Sequence, residues 1–371
     1  MGSMDAIILV GGRGSRLKSL TKNKTKSFVS FFGKYRIIDF PLSSLSNSQV
    51  KNVGILTQYE PYDLMRYVGS GASWDLDVFN EGVSFLTPYE SEENNIIFQK
   101  GTANACLSQI EYIRKSNAEY ILILSGDQIY KMDFKEVLNE HIKHDAKLTI
   151  ITADLDKEKD NLSRFGIIEY DESNRIISFE EKPKNPKSNH ISLGMYLFNK
   201  DFLLKYLPKA DTLCDFGKDL IPYIISESKD VYAFKHDSWF FDVGTVESLY
   251  NANMFFLEKP TEIAKKGDTF KVYSKPFDFP PNAIGHGGRV TDAIVSDACV
   301  VYGRVKHSVL SFKCKVDKGS KIEDSVLLPK VFVGKNVKIK NAIVDEDLVI
   351  PDGMEFVFDT PTIVDSSSLK R

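Results

Sequence analysis

Short aliphatic and β-branched runs alternate with stretches of helical spacing over the first two thirds of the chain. The runs AIILV (6–10), VGILT (53–57), YILILSGD (120–127) and KLTIITA (147–153) read as strands. Between them, residues 103–117 and 134–144 repeat apolar positions at three- and four-residue intervals and read as helices. Strand and helix in alternation imply a doubly wound, mostly parallel sheet, with its ligand crevice at the carboxyl ends of the strands. The loops after Val10, Thr57 and Ser125 should therefore surround one cleft.

After about residue 255 the helical pattern fades. The stretch KPFDFPP (275–281) carries three prolines, which remove backbone donors and disfavour helix, so it reads as an extended linker. Beyond it the period changes. Val331, Val337, Ile343 and Val349 fall six apart, as do Val316, Ile322 and Leu328, with Gly303, Gly319, Gly334 and Gly353 marking turns. A hexapeptide period points to a parallel β-helix, whose triangular coils bury one small aliphatic residue per side. The alternative is an antiparallel sheet with coincidental spacing, and the register does break once, between Leu328 and Val331. The expected division is an α/β domain over 4–255, a linker over 256–282 and a β-helix over 283–371.

Composition adds exclusions. The chain has 371 residues, 42% hydrophobic and 27% charged, the profile of a globular protein with room for two domains. A net charge of −3 supplies no basic excess for nucleic acid. Cys106, Cys214, Cys299 and Cys314 show neither C-x-x-C spacing nor a neighbouring histidine pattern, so zinc and a redox dithiol are not indicated. No apolar run approaches the roughly 18 residues of a membrane span, and no secretory leader precedes the first strand, so a cytoplasmic location is expected. Met1-Gly2-Ser3 reads as an addition ahead of a natural start at Met4.

Three constellations carry chemistry. ILVGGRGSRL (8–17) runs from a strand into Gly11, Gly12 and Gly14, where bare backbone amides can form an anion nest, and Arg16, Lys22, Lys24 and Lys26 add positive charge. It is not a P-loop, since no Lys-Ser or Lys-Thr closes it, and Leu17 replaces the third glycine of a dinucleotide fingerprint. A glycine turn with a solvated basic loop is the competing reading. The second constellation is SGDQIYKMDF (125–134), which places Asp127 at a strand end, where a magnesium ion bridging phosphates finds a hard oxygen ligand; as a lone residue it would serve equally as a turn cap. WFFDVGT (239–245) offers a partner carboxylate in Asp242. The third is FEEKPKNPKSN (179–189), in which Glu181 can accept sugar hydroxyls while Lys182 neutralises a phosphate, unless the pair is only part of a charged surface loop.

GGRGSRL, GDQIYKMD, FEEKP, DFGKD (215–219) and DVGT (242–245), in this order and followed by hexapeptide repeats, resemble the sugar nucleotidyltransferases. KYRIIDFPLSSLSNS (34–48), VGILTQYEP (53–61) and SWDLD (73–77) are similar to the bacterial glucose-1-phosphate adenylyltransferases, or ADP-glucose pyrophosphorylases. The resemblance runs from Met4 to about Gly353. It implies a Rossmann-like, mostly parallel nucleotidyltransferase domain followed by a left-handed parallel β-helix. It also implies synthesis of ADP-glucose and pyrophosphate from ATP and α-D-glucose 1-phosphate, for glycogen. Carried over residue by residue, Arg16, Lys26 and Asp127 would be catalytic, and Leu9, Gly11, Gly12, Gln58, Gly101 and Thr102 would bind the nucleotide. Gly166, Glu181, Lys182, Ser192 and Lys218 would bind the sugar phosphate, while Asp127 and Asp242 would hold Mg²⁺. A homotetramer or a hetero-oligomer with a paralogous subunit is implied, as are sugar-phosphate or AMP effectors near the domain interface.

Several positions depart from the family pattern. Val10 stands for the usual alanine, Thr25 and Ser27 flank Lys26 in place of alanine and proline, and Gln128 replaces histidine. Phe98-Gln99 replaces Trp-Tyr, and Trp239-Phe240-Phe241 replaces Tyr-Trp-Arg/Lys before Asp242. Other readings remain open: a pyrophosphorylase for UDP-, dTDP- or GDP-sugars, a regulatory subunit without turnover, or an acyltransferase using His286 or His307 in the coils.

Overall fold

A computed structural model describes residues 2–12, 14–79, 81–87, 100–156, 161–263 and 268–370; Arg13, Phe98 and Gln99 lie outside the described residues. Nine strands form the main sheet: β1 (Met4–Val10), β2 (Asn52–Thr57), β3 (Gly82–Leu86), β4 (Tyr120–Ser125), β5 (Leu148–Asp154), β6 (Gly166–Tyr170), β7 (Ile176–Glu181), β8 (His190–Asn199) and β9 (Val231–Lys235). The order is β7-β6-β8-β4-β1-β2-β3, with β5 pairing β8 and β9. The block β3-β2-β1-β4 is parallel, and β8 runs antiparallel to β4, β5 and β6. The strands bury their aliphatic faces in two clusters, one holding Ile8, Leu122 and Leu124, the other Ile7, Ile121 and Ile123, as alternation along a strand covered on both faces requires.

Two local differences from the sequence expectation have physical causes. Residues 103–117 do not form one helix but two, Thr102–Leu107 and Ile110–Lys115. The break falls at Ser108-Gln109, where the Ser108 hydroxyl donates to the Ala105 carbonyl and the Gln109 backbone N–H bonds to the Cys106 carbonyl (3.0 Å) in its place. In β8 the pairing shifts between Ser192 and Tyr196, at Gly194, whose φ of 67° is left-handed. A glycine there permits the bulge that lets one long strand leave β4 and take up β6.

Beyond the extended segment, strands from Ala283–Ile284 onward curl into parallel ladders, as a β-helix requires. Val301, Val316, Val333 and Ile350 stack in register inside it, each almost fully buried. Successive coils repeat every 17 residues in the ladder Lys315, Phe332, Val349. A strict six-residue period therefore drifts by one position per coil. Val316, Ile322, Val331 and Val337 do line the interior. Leu328 and Ile343 instead pack against the α/β half, and Val349 is 62% exposed.

The two halves meet along the helix Val246–Glu258. Its Leu249, Tyr250 and Phe256 share a core with Val309, Val326, Leu328, Ile343 and Ile363 of the coils. The Tyr250 hydroxyl donates to the Asp324 carbonyl (2.8 Å), and Lys24 pairs with Glu346. The segment preceding the coils is tied to the helix Asp39–Asn47: Asn47 hydrogen-bonds both backbone groups of Lys271, and Ser43 both of Tyr273. Four residues along a helix and two along an extended chain span similar distances, so the side chains imitate a strand edge. Among the described residues, no helix is long and apolar enough to cross a membrane.

Candidate active site

A cavity of about 530 Å³ opens at the carboxyl ends of β1, β2 and β4. That size suits a small-molecule ligand. Leu9, Gly11, Gly12, Arg16, Lys26, Gln58, Gly101, Thr102, Asp127, Gly166, Glu181, Lys182, Ser192 and Asp242 all line it. Residues chosen from stretches far apart in sequence are thus brought to one cavity. Lys218 is exposed and does not line the cavity; its backbone N–H donates to Asp215 Oδ1, and its neighbour Gly217 is the lining residue.

On the first strand's side, Gly12 faces open space: a Cβ there would meet nothing within 4 Å. Neither packing nor a left-handed φ explains that glycine, which leaves close approach of a ligand to the backbone as its physical use. Gly126 is required for packing. A Cβ there would lie 2.8 Å from both Ile8 and Val10 methyls, so Val10 fills the room this glycine leaves.

At the floor, the buried Lys26 ammonium lies 3.0 Å from Asp127 Oδ2 and 3.2 Å from Asp242 Oδ1. The Ser125 hydroxyl donates to Asp127 Oδ1 (2.5 Å). Burial pushes the Asp127 carboxyl up, but the Lys26 charge and these hydrogen bonds outweigh it and hold the group below the usual carboxylate range. Arg16 belongs to the same cluster, since a Cβ on Gly244 would sit 3.0 Å from its guanidinium and from Asp242 Oδ1, and 3.3 Å from Lys26 Nζ. Two carboxylate oxygens therefore flank a single position occupied by a cation, an arrangement that suits a divalent ion with one or two protein carboxylates once the lysine turns to phosphate.

The opposite wall is built on the pairing of Gly166 with Glu181. Glycines at 166 and 217 leave the Glu181 carboxylate uncrowded, for a Cβ at either would come within 3.0 and 2.8 Å of Oε2. Lys182 Nζ lies 2.6 Å from Glu181 Oε1 and its side chain is 61% exposed. Thr102 donates to Asp215 Oδ2 and accepts from the Phe216 N–H, locking the start of its helix to this wall.

Sequence reasoning missed Arg164, whose Nη2 donates to Asp242 Oδ2 at 2.9 Å. It precedes the chosen Gly166 by two residues, but nothing in the spacing ties it to a carboxylate 78 positions away. It supplies the cation beside Asp242 that Phe241 does not. The Phe241 ring packs on Phe255 and Phe256 (5.0 and 5.7 Å) and does not line the cavity. Lys100 and Tyr196 also line the wall and escaped notice, and Asp215 lines it from the DFGKD stretch. Among the described residues, no group of three or more His, Cys, Asp or Glu side chains could by itself hold a metal.

Residues 5–259 match a family model described as nucleotidyl transferase, and residues 275–362 match one described as GlmU-like, C-terminal hexapeptide. The chain is 44% identical to a glucose-1-phosphate adenylyltransferase of Bacillus cytotoxicus over 94% of its own length and 93% of the relative's. It is 43% identical over the same shares to the proteins of that name from Bacillus mycoides and Bacillus anthracis.

Proposed function

The chain belongs to the nucleotidyl transferase family, and from that membership we propose that it transfers the adenylyl group of ATP to α-D-glucose 1-phosphate, giving ADP-glucose and pyrophosphate for glycogen synthesis. The observation that carries the reading is the Lys26 ammonium set between Asp127 and Asp242 in the cavity that the open Gly12 backbone also lines. A phosphate oxygen of glucose 1-phosphate attacks the α-phosphorus of ATP, and the bond to the departing pyrophosphate breaks. No covalent enzyme intermediate is needed, so positioning and charge neutralisation carry the rate. Arg16 and Lys26 receive the triphosphate and the leaving pyrophosphate. Leu9, Gly11, Gly12, Gln58, Gly101 and Thr102 hold the nucleotide, and Gly166, Glu181, Lys182 and Ser192 hold the sugar phosphate, whereas Lys218, exposed and off the lining, is left out of that set.

Enzymes of this kind generally use a divalent metal. Mg²⁺ is the ion we assign, with Asp127 and Asp242 as its ligands; bound there, it would neutralise charge developing on the phosphates. Relatives that share the adenylyltransferase name along nearly the whole chain favour ATP over other nucleotides, and turnover over a purely regulatory role. The hexapeptide domain supports oligomerisation. A homotetramer in the cytoplasm is the assembly we propose, resting on exposed Phe332, Val349 and Val357 on the coils. A second cavity, lined by Lys34, Lys275 and Phe312 where the halves meet, is the place proposed for anionic effectors.

Pyrophosphate release from ATP and glucose 1-phosphate tests the reading. Wild type should release it, while Asp127→Ala and Arg16→Ala should each lose about 100-fold or more. Equal release by Asp127→Ala would remove that residue from the metal site. Release by Arg16→Ala at the wild-type rate would shift the role of the loop cation to Arg13.

A further inference from the structure

Five cations line the cavity among the described residues: Arg16, Lys26, Lys100, Arg164 and Lys182. Arg16 and Lys26 stand with the glycine loop, and Lys100 adjoins Gly101 on the nucleotide side. Lys182 is held by Glu181 and mostly exposed. Arg164 is left as the interior cation of the wall that carries Gly166, Glu181 and Ser192.

Its placement joins that wall to the floor. The Lys182 N–H donates to the Phe165 carbonyl (3.0 Å), fixing the residue after Arg164 beside the Glu181-Lys182 pair. From there the guanidinium reaches Asp242 through Nη2. Its Nε is buried and has no partner. A guanidinium offers five N–H donors in a fixed fork, and a buried donor without an acceptor is destabilising. Arg164 itself lines the cavity, so a bound acceptor there is the group that would complete its fork.

We propose that Arg164 binds the phosphate of the sugar phosphate, using its free Nε–H while Nη2 keeps hold of Asp242. A phosphate dianion approaching two aspartates meets charge repulsion that a partly buried site screens far less than water does. The Arg164 charge offsets that repulsion where it is largest and ties the attacking phosphate to the carboxylate floor. This inference rests on the proposed substrate pair and adds to it the residue that seats the nucleophile.

The test compares wild type with Arg164→Ala and Arg164→Lys by calorimetric binding of glucose 1-phosphate, alongside KM for each substrate. Arg164→Ala should weaken glucose 1-phosphate binding about 10- to 100-fold, with KM for ATP changed less than about 3-fold. Arg164→Lys should recover part of the loss, because it keeps the charge but not the fork. Were Arg164 only a support for Asp242, kcat would fall with glucose 1-phosphate binding unchanged, and that result overturns the proposal. Should wild type bind another sugar phosphate instead, the substrate reading falls, and the same comparison made with that sugar phosphate decides the role of Arg164. A wild type that binds no sugar phosphate overturns both.

Discussion

In the floor of the cleft, one lysine stands within 3.2 Å of two aspartates, and an arginine takes the remaining oxygen of one of them. In the coils, Val301, Val316, Val333 and Ile350 stack with no charge between them. The first arrangement places charges where each depends on a neighbour, and those neighbours are also the groups a polyanionic substrate would claim. The second gains from removing apolar surface from water, about 1.5–3 kcal/mol for each fully buried aliphatic side chain. Loss of a cleft residue should therefore strike turnover first, and loss of a coil residue should strike folding first.

The largest expected effect is at Lys26. Lys26→Ala should lower the rate of pyrophosphate release about 100- to 1000-fold. It also leaves Asp127 and Asp242 facing each other without their shared cation, so its melting temperature should drop and be restored by millimolar Mg²⁺. A melting temperature indifferent to Mg²⁺ would show that the two carboxylates share no ion.

Next comes the coil interior. Ile322→Ala removes a fully buried side chain and should cost about 2–5 kcal/mol in denaturant unfolding, with kcat per folded molecule unchanged. Val349→Thr, at a hexad position that the 17-residue coil turns outward, should stay within about 0.5 kcal/mol. If both substitutions cost the same, the six-residue period rather than the coil length would define the interior.

A pH-dependent effect sharpens the comparison, because it concerns a carboxylate buried like a coil residue. Asp39 is fully buried, accepting from the Arg36 N–H (2.9 Å) and the Tyr67 hydroxyl. Burial pushes its carboxyl up to about 8, against the opposing pull of those hydrogen bonds and of Arg36 and Lys34. The folded chain keeps this proton up to about pH 8, whereas the unfolded chain releases it near 4. Stability from this group is thus complete below pH 4 and declines as pH rises toward 8, by up to about 1.4 kcal/mol per pH unit. Asp39→Asn should flatten that slope in denaturant titrations at pH 5 and pH 8, and an unchanged slope would assign it elsewhere.

Much of this protein was legible before any coordinates. The strand runs ending at Val10, Thr57 and Ser125 announced the sheet and the rim of its cleft, because buried strands need continuous aliphatic residues whatever their partners. The glycine loop, Asp127, Glu181-Lys182 and Asp242 were legible because each sits at a boundary between a periodic run and a turn. The aliphatic repeat announced the coils, although the repeat is a property of the coil and not of the hexad, so Leu328, Ile343 and Val349 were assigned to an interior they do not line. What only the tertiary structure decided are the contacts between elements far apart in sequence. Arg164 reaches Asp242 across 78 residues, Phe241 turns into the core, Gly194 bends β8, and Asn47 and Ser43 hold the segment that leads to the coils. Local spacing carries the preference of a segment for strand, helix or turn. It carries no record of which cation will meet which carboxylate, because that pairing is set by the packing of whole layers.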